Sequence, residues 1–202
     1  MLHVIGVDHR IQARLPGAEL NEGQRLFAQS LRTTINRVHP VLIAEEHSEE
    51  ALKDPPPARL SIAKEIADGI EHRFCDPTQV QRRSIGYKGL MHIEIEMSMQ
   101  RGWDRPDEER RRNARAIEIG RYFPIREKFW LECLNANVCR EKEVVFVCGD
   151  LHIESETFAN LLDHEGVPYQ MVERRIGVAD GEPYYLALAH LREHPEILDA
   201  PF

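Results

Sequence analysis

Three short segments of this chain place a histidine within four residues after an apolar run that has the composition of a buried strand. These histidines are His9, His47 and His152, and the first and last of them stand in Gly-x-x-His motifs that begin at Gly6 and Gly149. A neutral imidazole is both a common metal ligand and a proton acceptor near neutral pH. A glycine at the exit of a strand allows the backbone to approach another group closely. The three segments therefore predict a site for metal binding or acid–base chemistry.

A carboxylate accompanies the second histidine, because Glu45 follows the apolar run 41–44 directly. Together with His9 and His152 it forms a nitrogen and oxygen ligand set that suits manganese, cobalt or zinc. We therefore predict His9, Glu45 and His152 as metal ligands, with His47 beside them. Without a metal, the catalytic set His9, Glu45, His47 and His152 would activate water by general acid–base chemistry.

The elements that must position these residues follow from the hydrophobic pattern. Apolar runs predict strands at 2–7, 41–44, 144–148 and 169–172, and segments with helical periodicity lie between them. Alternating strands and helices predict an α/β fold, with a mostly parallel sheet that carries helices on both faces. We expect one α/β domain over residues 1–202. The site should then lie at the carboxyl edge of the sheet, where ligands bind in such folds.

The helices are predicted from their starts and their apolar stripes. Asn21 with Gln24 resembles a capping box ahead of an amphipathic helix. The stretch 91–99 alternates like a strand, but its methionines and glutamates favour a helix. A charged helix is expected over 107–122, and Pro124 is expected to begin another.

Composition limits the classes of protein to which the chain can belong. Its 202 residues are 42% hydrophobic, and the net charge of −8 disfavours general nucleic-acid binding. Neither a signal peptide nor a membrane span is predicted. The four cysteines are scattered, which favours reduced thiols and a cytoplasmic location. A small molecule or a peptide is the expected substrate, while composition does not predict the oligomeric state.

The two Gly-x-x-His motifs with an intervening strand-end glutamate resemble the Tiki/TraB superfamily. That superfamily also includes ChaN-like haem-uptake proteins and erythromycin-esterase-like proteins, and the segment 44–47 resembles the Gly-Glu-x-His of these two branches with Ala44 in place of glycine. The matches cover roughly the first 50 residues and residues 144–165. The resemblance implies an α/β fold with His9, Glu45 and His152 as the central polar set.

Several functions remain open under this resemblance. The leading hypothesis is a hydrolase that cleaves an amide or ester, with a divalent metal or with the His/Glu cluster alone. A haem-binding protein that uses histidine ligands is the alternative from another class. A regulatory domain with a decayed site is the third, and Ala44 favours it.

Other polar residues are weaker candidates for the site. Arg73 is predicted, with Arg82 and Arg83, to clamp an anionic group of the ligand. Cys148 precedes Gly149, but a cysteine that closes an apolar strand is more often buried and inert. The chain has no Gly-x-Ser-x-Gly motif, so a serine hydrolase is not predicted.

Overall fold

A parallel β-sheet forms the centre of the computed structural model, which describes residues 1–54, 56–100, 107–179 and 181–199. The strands in chain order are β1 (Leu2–Val7), β2 (Ala13–Arg14), β3 (Leu42–Glu45), β4 (Leu60–Ser61), β5 (Glu71–Phe74), β6 (Val144–Gly149) and β7 (Tyr169–Ile176). Five of them form an all-parallel sheet in the order β5-β3-β6-β1-β7. Strands β2 and β4 form a separate antiparallel pair. The predicted α/β class is confirmed.

Helices follow most of the strands. They are α1 (Glu22–Val38), α2 (Glu49–Lys53), α3 (Ile62–Ile66), α4 (Gln79–Ser84), α5 (Leu90–Met99), α6 (Asp107–Ile117), a π-helix (Glu118–Tyr122), α7 (Phe123–Leu134), α8 (Ala136–Glu141), α9 (Asp150–Glu154), α10 (Thr157–His164) and α11 (Pro183–Glu193). Two 3-10 helices cover His9–Ile11 and Pro195–Asp199. The capping box predicted at Asn21 and Gln24 begins α1, and the stretch 91–99 is helical.

The strands alternate their side chains between two apolar layers, as the two-residue period of a strand requires. In β3, Leu42 and Ala44 face the layer that α7 and α10 cover with Trp130 and Phe158. Ile43 faces the opposite layer, which includes residues of α1 and α3. Helices therefore cover both faces of the sheet.

Two of the helices between β5 and β6, α5 and α6, pack against each other in a separate hydrophobic cluster. Helix α11, which follows β7, also packs against α6. The helix predicted over 107–122 is α-helical only to Ile117 and continues as the π-helix, a form that occurs often at functional sites. Within the described ranges, no helix is both long and apolar enough to cross a membrane.

Gly6 on β1 allows α9 to pack directly against the sheet. A Cβ atom at Gly6 would clash with Asp150 Oδ1 and would lie 2.8 Å from Ile153 Cδ1. We predict that Gly6→Ala lowers the free energy of unfolding by about 1–3 kcal/mol, because the added methyl overpacks this contact. Urea denaturation measures the change. Gly89→Ala is the matched control, since its Cβ would meet atoms no closer than 3.8 Å. An equal loss in the two variants would contradict the prediction.

Candidate functional site

The carboxyl ends of three neighbouring strands meet at one edge of the sheet, as the parallel topology requires. His9 follows β1, Glu46 follows β3, and His152 lies on α9 directly after β6. A cavity of about 230 Å³ opens at this edge, and its lining includes His9, Arg126 and His152. The structure thus brings two of the predicted histidines into one pocket.

Glu46 is the centre of this arrangement. Its carboxylate is fully buried, and Oε1 lies 3.4 Å from His9 Nε2, 3.4 Å from His152 Nε2 and 2.7 Å from Arg126 Nη1. The other oxygen, Oε2, accepts a 2.6 Å hydrogen bond from the Gly149 backbone N–H. Burial alone would raise the pKa of Glu46, but Arg126 and the two imidazoles hold that pKa well below its usual value. Glu46 is therefore ionised at neutral pH.

The prediction that Glu45 lies between His9 and His152 is wrong. Glu45 has the same orientation as Ile43, because side chains alternate along β3, so it faces the opposite side of the sheet. There its Oε1 accepts a hydrogen bond from Ser61 and lies 2.9 Å from His72 Nε2. Glu46 is one residue further along the chain and takes the predicted position.

Arg126 holds Glu46 from the side of α7. Its Nε donates a 2.6 Å hydrogen bond to Asp76 Oδ1, while Nη1 pairs with Glu46. The guanidinium is 5.2 Å from the centre of the Trp130 ring, within cation–π range. Burial acts against the charged form, but Asp76 and Glu46 outweigh it and raise the pKa of Arg126 well above its usual value.

Asp76 is the second carboxylate bound to Arg126, and it follows β5. Arg82 Nη2 donates to Asp76 Oδ2 at 2.7 Å. Burial would raise the pKa of Asp76, but Arg126 and Arg82 together keep it below its usual value. Glu46, Asp76 and Arg126 therefore form a buried, charge-paired unit.

His152 is fixed by contacts on all sides. Its Nδ1 lies 2.7 Å from Glu127 Oε1, and its ring stacks on Phe123 with the centroids 3.8 Å apart. Trp130 meets the ring edge-on at 4.5 Å. Burial lowers the pKa of His152, but Glu46 and Glu127 outweigh this effect, and the pKa is raised. The histidine is thus stabilised as an imidazolium.

His9 is the more accessible of the two histidines. Its side chain is 47% exposed, while that of His152 is 2% exposed. Its Nδ1 lies 3.2 Å from the amide nitrogen of Gln12, a fully buried residue on the same turn. His9 can therefore reach a ligand in the cavity while its ring is held from behind.

His47 lies near this group but outside the cavity lining. Its ring centroid is 6.5 Å from that of His9, and its Nε2 is buried without a hydrogen-bond partner among the described residues. Burial lowers the pKa of His47. It is consequently a neutral neighbour of the cluster rather than a part of the pocket wall.

Gly149, the second of the two predicted glycines, allows the ends of β1, β3 and β6 to approach each other closely. A Cβ atom at Gly149 would lie 2.5 Å from His9 Nε2 and 3.3 Å from Glu46 Oε2. Only glycine leaves room for the imidazole and the carboxylate at this position. Gly149, like Gly6, thus permits close packing, and it also lines the cavity.

Arg73 does not reach the cavity. Its Nη1 donates a 2.5 Å hydrogen bond to the Cys133 carbonyl oxygen, and its Nη2 bonds Glu71. The predicted anion clamp by Arg73 is therefore wrong, because the side chain extends from the edge strand β5 towards α7. Cys148 is fully buried, and burial raises its pKa well above the usual value, as expected of an inert core thiol.

The sequence analysis missed Glu46, Arg126 and Glu127 as members of the site. A signal for Glu127 was present, because Phe123, Glu127, Trp130 and Leu134 lie on one helical stripe. A charged residue within an apolar stripe indicates a buried, paired charge. For Glu46, the alternation of side chains along β3 predicts that its carboxylate faces the same side of the sheet as Ala44.

The predicted metal set is not assembled, since Glu45 is turned away. Glu46 could replace it by position, but its Oε1 already lies 2.7 Å from the Arg126 guanidinium, whose positive charge opposes a divalent ion there. Among the residues that the structure describes, no group of three or more His, Cys, Asp or Glu side chains is arranged to hold a metal ion. His9, Glu46 and His152 therefore do not form a suitable binding site for a metal ion.

Haem ligation is not favoured at His152. Both ring nitrogens of His152 face carboxylates, those of Glu46 and Glu127, so neither is open to iron. The cavity of about 230 Å³ is also smaller than typical ligand pockets, which measure about 300–1,000 Å³. The cluster therefore favours chemistry by its own side chains.

We predict that Arg126→Met lowers the free energy of unfolding by about 3–5 kcal/mol, because it leaves Glu46 buried without its cation. The double variant Arg126→Met with Glu46→Gln should recover part of this loss. Urea denaturation is the measurement. The control is Arg10→Met, which removes a salt-bridging arginine with a 67% exposed side chain and should lower the free energy of unfolding far less, because solvent screens the pair. Similar losses for Arg126→Met and Arg10→Met would contradict the buried pairing.

His152 provides a pH-dependent prediction. Its pKa is raised in the folded state above the usual 6.5, so its stabilising contribution is fully present below that value and is lost as the pH rises through the folded pKa. The difference in unfolding free energy between the native protein and His152→Gln should therefore shrink as the pH rises above 6.5. His164→Gln, at an exposed position of α10, is the control. A difference for His152→Gln that stays constant or grows would contradict the charged form.

Comparison with known proteins adds no relative to this description. The chain matches no family model, no curated protein and no solved structure. The resemblance to the Tiki/TraB superfamily consequently remains a prediction from the two Gly-x-x-His motifs.

Proposed function

We propose that this protein is a hydrolase that activates water with His9 and cleaves a small ester or amide. The observation that carries the proposal is the buried carboxylate of Glu46, which faces His9, His152 and Arg126, three residues that line the cavity. A base, a counter-ion and two cationic groups at one pocket are the parts that acyl transfer to water requires.

His9 is the general base in this proposal. It lines the cavity and is the accessible imidazole of the cluster. Its Nε2 takes a proton from water as the water oxygen attacks the substrate carbonyl carbon. The imidazolium that forms faces the Glu46 carboxylate at 3.4 Å, a distance that can shorten when a substrate is bound.

Gln12 sets the tautomer of His9. Its amide contacts His9 Nδ1, and its Oε1 is buried without a hydrogen-bond partner in the described part of the chain. The oxygen and nitrogen of an amide are assigned from their partners, so the amide can turn by 180°. With the oxygen towards His9, Nδ1–H donates to Gln12 and Nε2 carries the lone pair. Gln12 is thus a positioning residue.

Arg126 and His152 supply positive charge where negative charge develops. Both line the cavity, and their pKa values are raised by the same buried carboxylate, Glu46, together with other acids. As water adds to the carbonyl, the carbonyl oxygen becomes an oxyanion that a fixed cation stabilises. Neither cation needs to change its protonation state for this step.

His9 gives back the proton that it accepts from water. The tetrahedral intermediate collapses, its carbon–oxygen or carbon–nitrogen bond breaks, and the leaving alcohol or amine takes the proton from the His9 imidazolium. The products are a carboxylic acid and an alcohol or amine, and His9 returns to the neutral form. No other reactant is required.

The cavity walls favour a small substrate with an apolar or aromatic part. Phe123, Tyr184, Tyr185 and Val178 line the pocket beside the charged residues. Tyr184 and Tyr185 are held by hydrogen bonds to Glu118 and Asp150, of 2.7 and 2.6 Å. The small volume suits short-chain esters better than long acyl chains.

A regulatory domain with a decayed site is less well supported. A buried carboxylate that retains two imidazoles and a guanidinium is costly to desolvate, and such groups are retained more often at functional sites than elsewhere. The departure at Ala44 does not disturb this group, since Ala44 packs in the apolar layer of the sheet.

We predict that the untagged protein hydrolyses 4-nitrophenyl esters of short acids, and that His9→Asn lowers kcat by about 100-fold or more, since a general base contributes at least that much. Release of 4-nitrophenol measures the rate. The matched control is His164→Asn on α10, which should leave kcat unchanged. Gln12→Leu should lower kcat less than His9→Asn, and Gln12→Glu should restore part of that loss by accepting from Nδ1.

The proposed mechanism requires His9 and no metal ion. Chelation with EDTA should leave kcat unchanged, and elemental analysis should find no stoichiometric metal. No turnover of esters or of matching anilides beyond that of His9→Asn would overturn the proposal. A rate that His9→Asn does not lower would assign the chemistry to other residues.

A further inference from the structure

A second, larger cavity shares a wall with the candidate site. Glu118 lines both of them. The second cavity has a volume of about 650 Å³, and it is lined by residues of α4, of α5 and of the loop that joins these helices. This volume lies within the range of about 300–1,000 Å³ that is usual for ligand pockets. The cavity is therefore large enough for a small organic molecule.

Basic side chains line this cavity from all three segments. Arg82 and Arg83 lie on α4, Lys88 lies on the loop, and His92 lies in the first turn of α5. The sequence analysis predicted that the two arginines of α4 bind an anion together with Arg73, which is not part of this lining. Arginine side chains that converge on one space can bind an anion through several oxygens.

The acid in this cavity is less accessible than the cations. Among the lining residues that the structure describes, Glu118 is the one carboxylate, and it is buried. Its two oxygens accept 2.7 Å hydrogen bonds from the hydroxyl groups of Tyr87 and Tyr184. Arg83 and His92 are exposed. An anion that enters from solvent would thus meet basic side chains before it meets the carboxylate.

Arg82 is held in place and still has a nitrogen that can donate. Its Nε donates a 3.1 Å hydrogen bond to the Pro77 carbonyl oxygen, and its Nη2 donates to Asp76 Oδ2 at 2.7 Å. The guanidinium lies 5.4 Å from the centre of the Tyr87 ring. In the described part of the chain, Nη1 has no hydrogen-bond partner. Arg82 is therefore a preorganised donor at the cavity wall.

Arg83 contributes a charge that is not balanced by a carboxylate. Lys88 Nζ pairs with both oxygens of Glu96 at 2.7 Å, so its charge is largely compensated. Arg83 forms no ion pair with any residue in the described ranges, although it lines the same cavity. A fixed arginine and an unpaired one thus lie side by side on α4.

The first turn of α5 adds backbone donors to these arginines. Gly89 caps the helix without a side-chain hydrogen bond, and it lines the cavity together with Leu90 and Met91. The N–H groups of Leu90 and Met91 have no acceptor among the described residues. Such N–H groups favour a negative charge near them.

We propose that this cavity binds a small organic molecule that carries a phosphate group. The proposal rests on the two arginines of α4, on the basic lining from three segments and on the cavity volume. A phosphate monoester has three terminal oxygens, so it can pair with Arg82 and Arg83 at the same time. Tyr87, Leu90 and Met91 provide apolar surface for the organic part. The proposal does not depend on the proposed hydrolase function.

The test is isothermal titration calorimetry of the native protein with phenyl phosphate. We expect saturable binding that inorganic phosphate competes for and that sodium chloride weakens, because the attraction is electrostatic. Phenol, which lacks the phosphate, should bind at least about tenfold more weakly, since hydrogen bonds to a charged group contribute at least that much. No saturable binding of phenyl phosphate, or tighter binding of benzoate than of phenyl phosphate, would overturn the proposal.

Variants locate the bound phosphate. Arg83→Gln should weaken the binding of phenyl phosphate by about tenfold, and the exposed position makes a loss of folding unexpected. The matched control is Arg37→Gln, at an exposed position of α1, which should bind as the native protein does. His9→Asn should also bind normally, because His9 lines only the smaller of the two cavities.

Two results with these variants would contradict the proposed site. An equal loss of affinity in Arg83→Gln and Arg37→Gln would show unspecific attraction to surface charge. A loss in His9→Asn without a loss in Arg83→Gln would place the phosphate in the candidate site. Ester hydrolysis is not among these readouts, so the proposed hydrolase can fail without affecting them.

Discussion

The buried ion pair between Glu46 and Arg126 is the interaction on which the rest of the site depends. A carboxylate with no solvent exposure is costly unless it is paired, and Arg126 at 2.7 Å supplies the pairing charge. Asp76 orients the guanidinium from the other side, and the Gly149 N–H holds the second oxygen of Glu46. The carboxylate can then face two imidazoles in a fixed position.

This constraint explains several features of the fold. Helix α7 must bring Arg126 to the edge of the sheet, and the same helix buries Trp130 against the strands. The glycine at position 149 leaves the space that His9 needs, since any side chain there would occupy it. The same helix and strands thus provide both the apolar packing and the charge pairing. Polar groups in a low-dielectric site are commonly held in this way.

The two histidines differ because their surroundings differ. His152 lies between two carboxyl groups and two aromatic rings, and the carboxyl groups outweigh the effect of burial and raise its pKa. His9 has the same carboxylate on one side and the cavity on the other. Two identical side chains can therefore differ in function. In the proposed mechanism, His152 is a cation and His9 is the proton acceptor.

The sequence by itself determined the α/β class, the strand ends and the two histidine motifs, because hydrophobic period and glycine placement are local properties. It also predicted that His9 and His152 lie at the same edge of the sheet, since the carboxyl ends of parallel strands are at the same edge. Only the tertiary structure decided that Glu46 and not Glu45 faces them, because one residue along a strand reverses the side of the sheet. Only the tertiary structure also assigned Arg126, Asp76 and Glu127 to the site, because the charged partners that hold each of them lie far away in sequence.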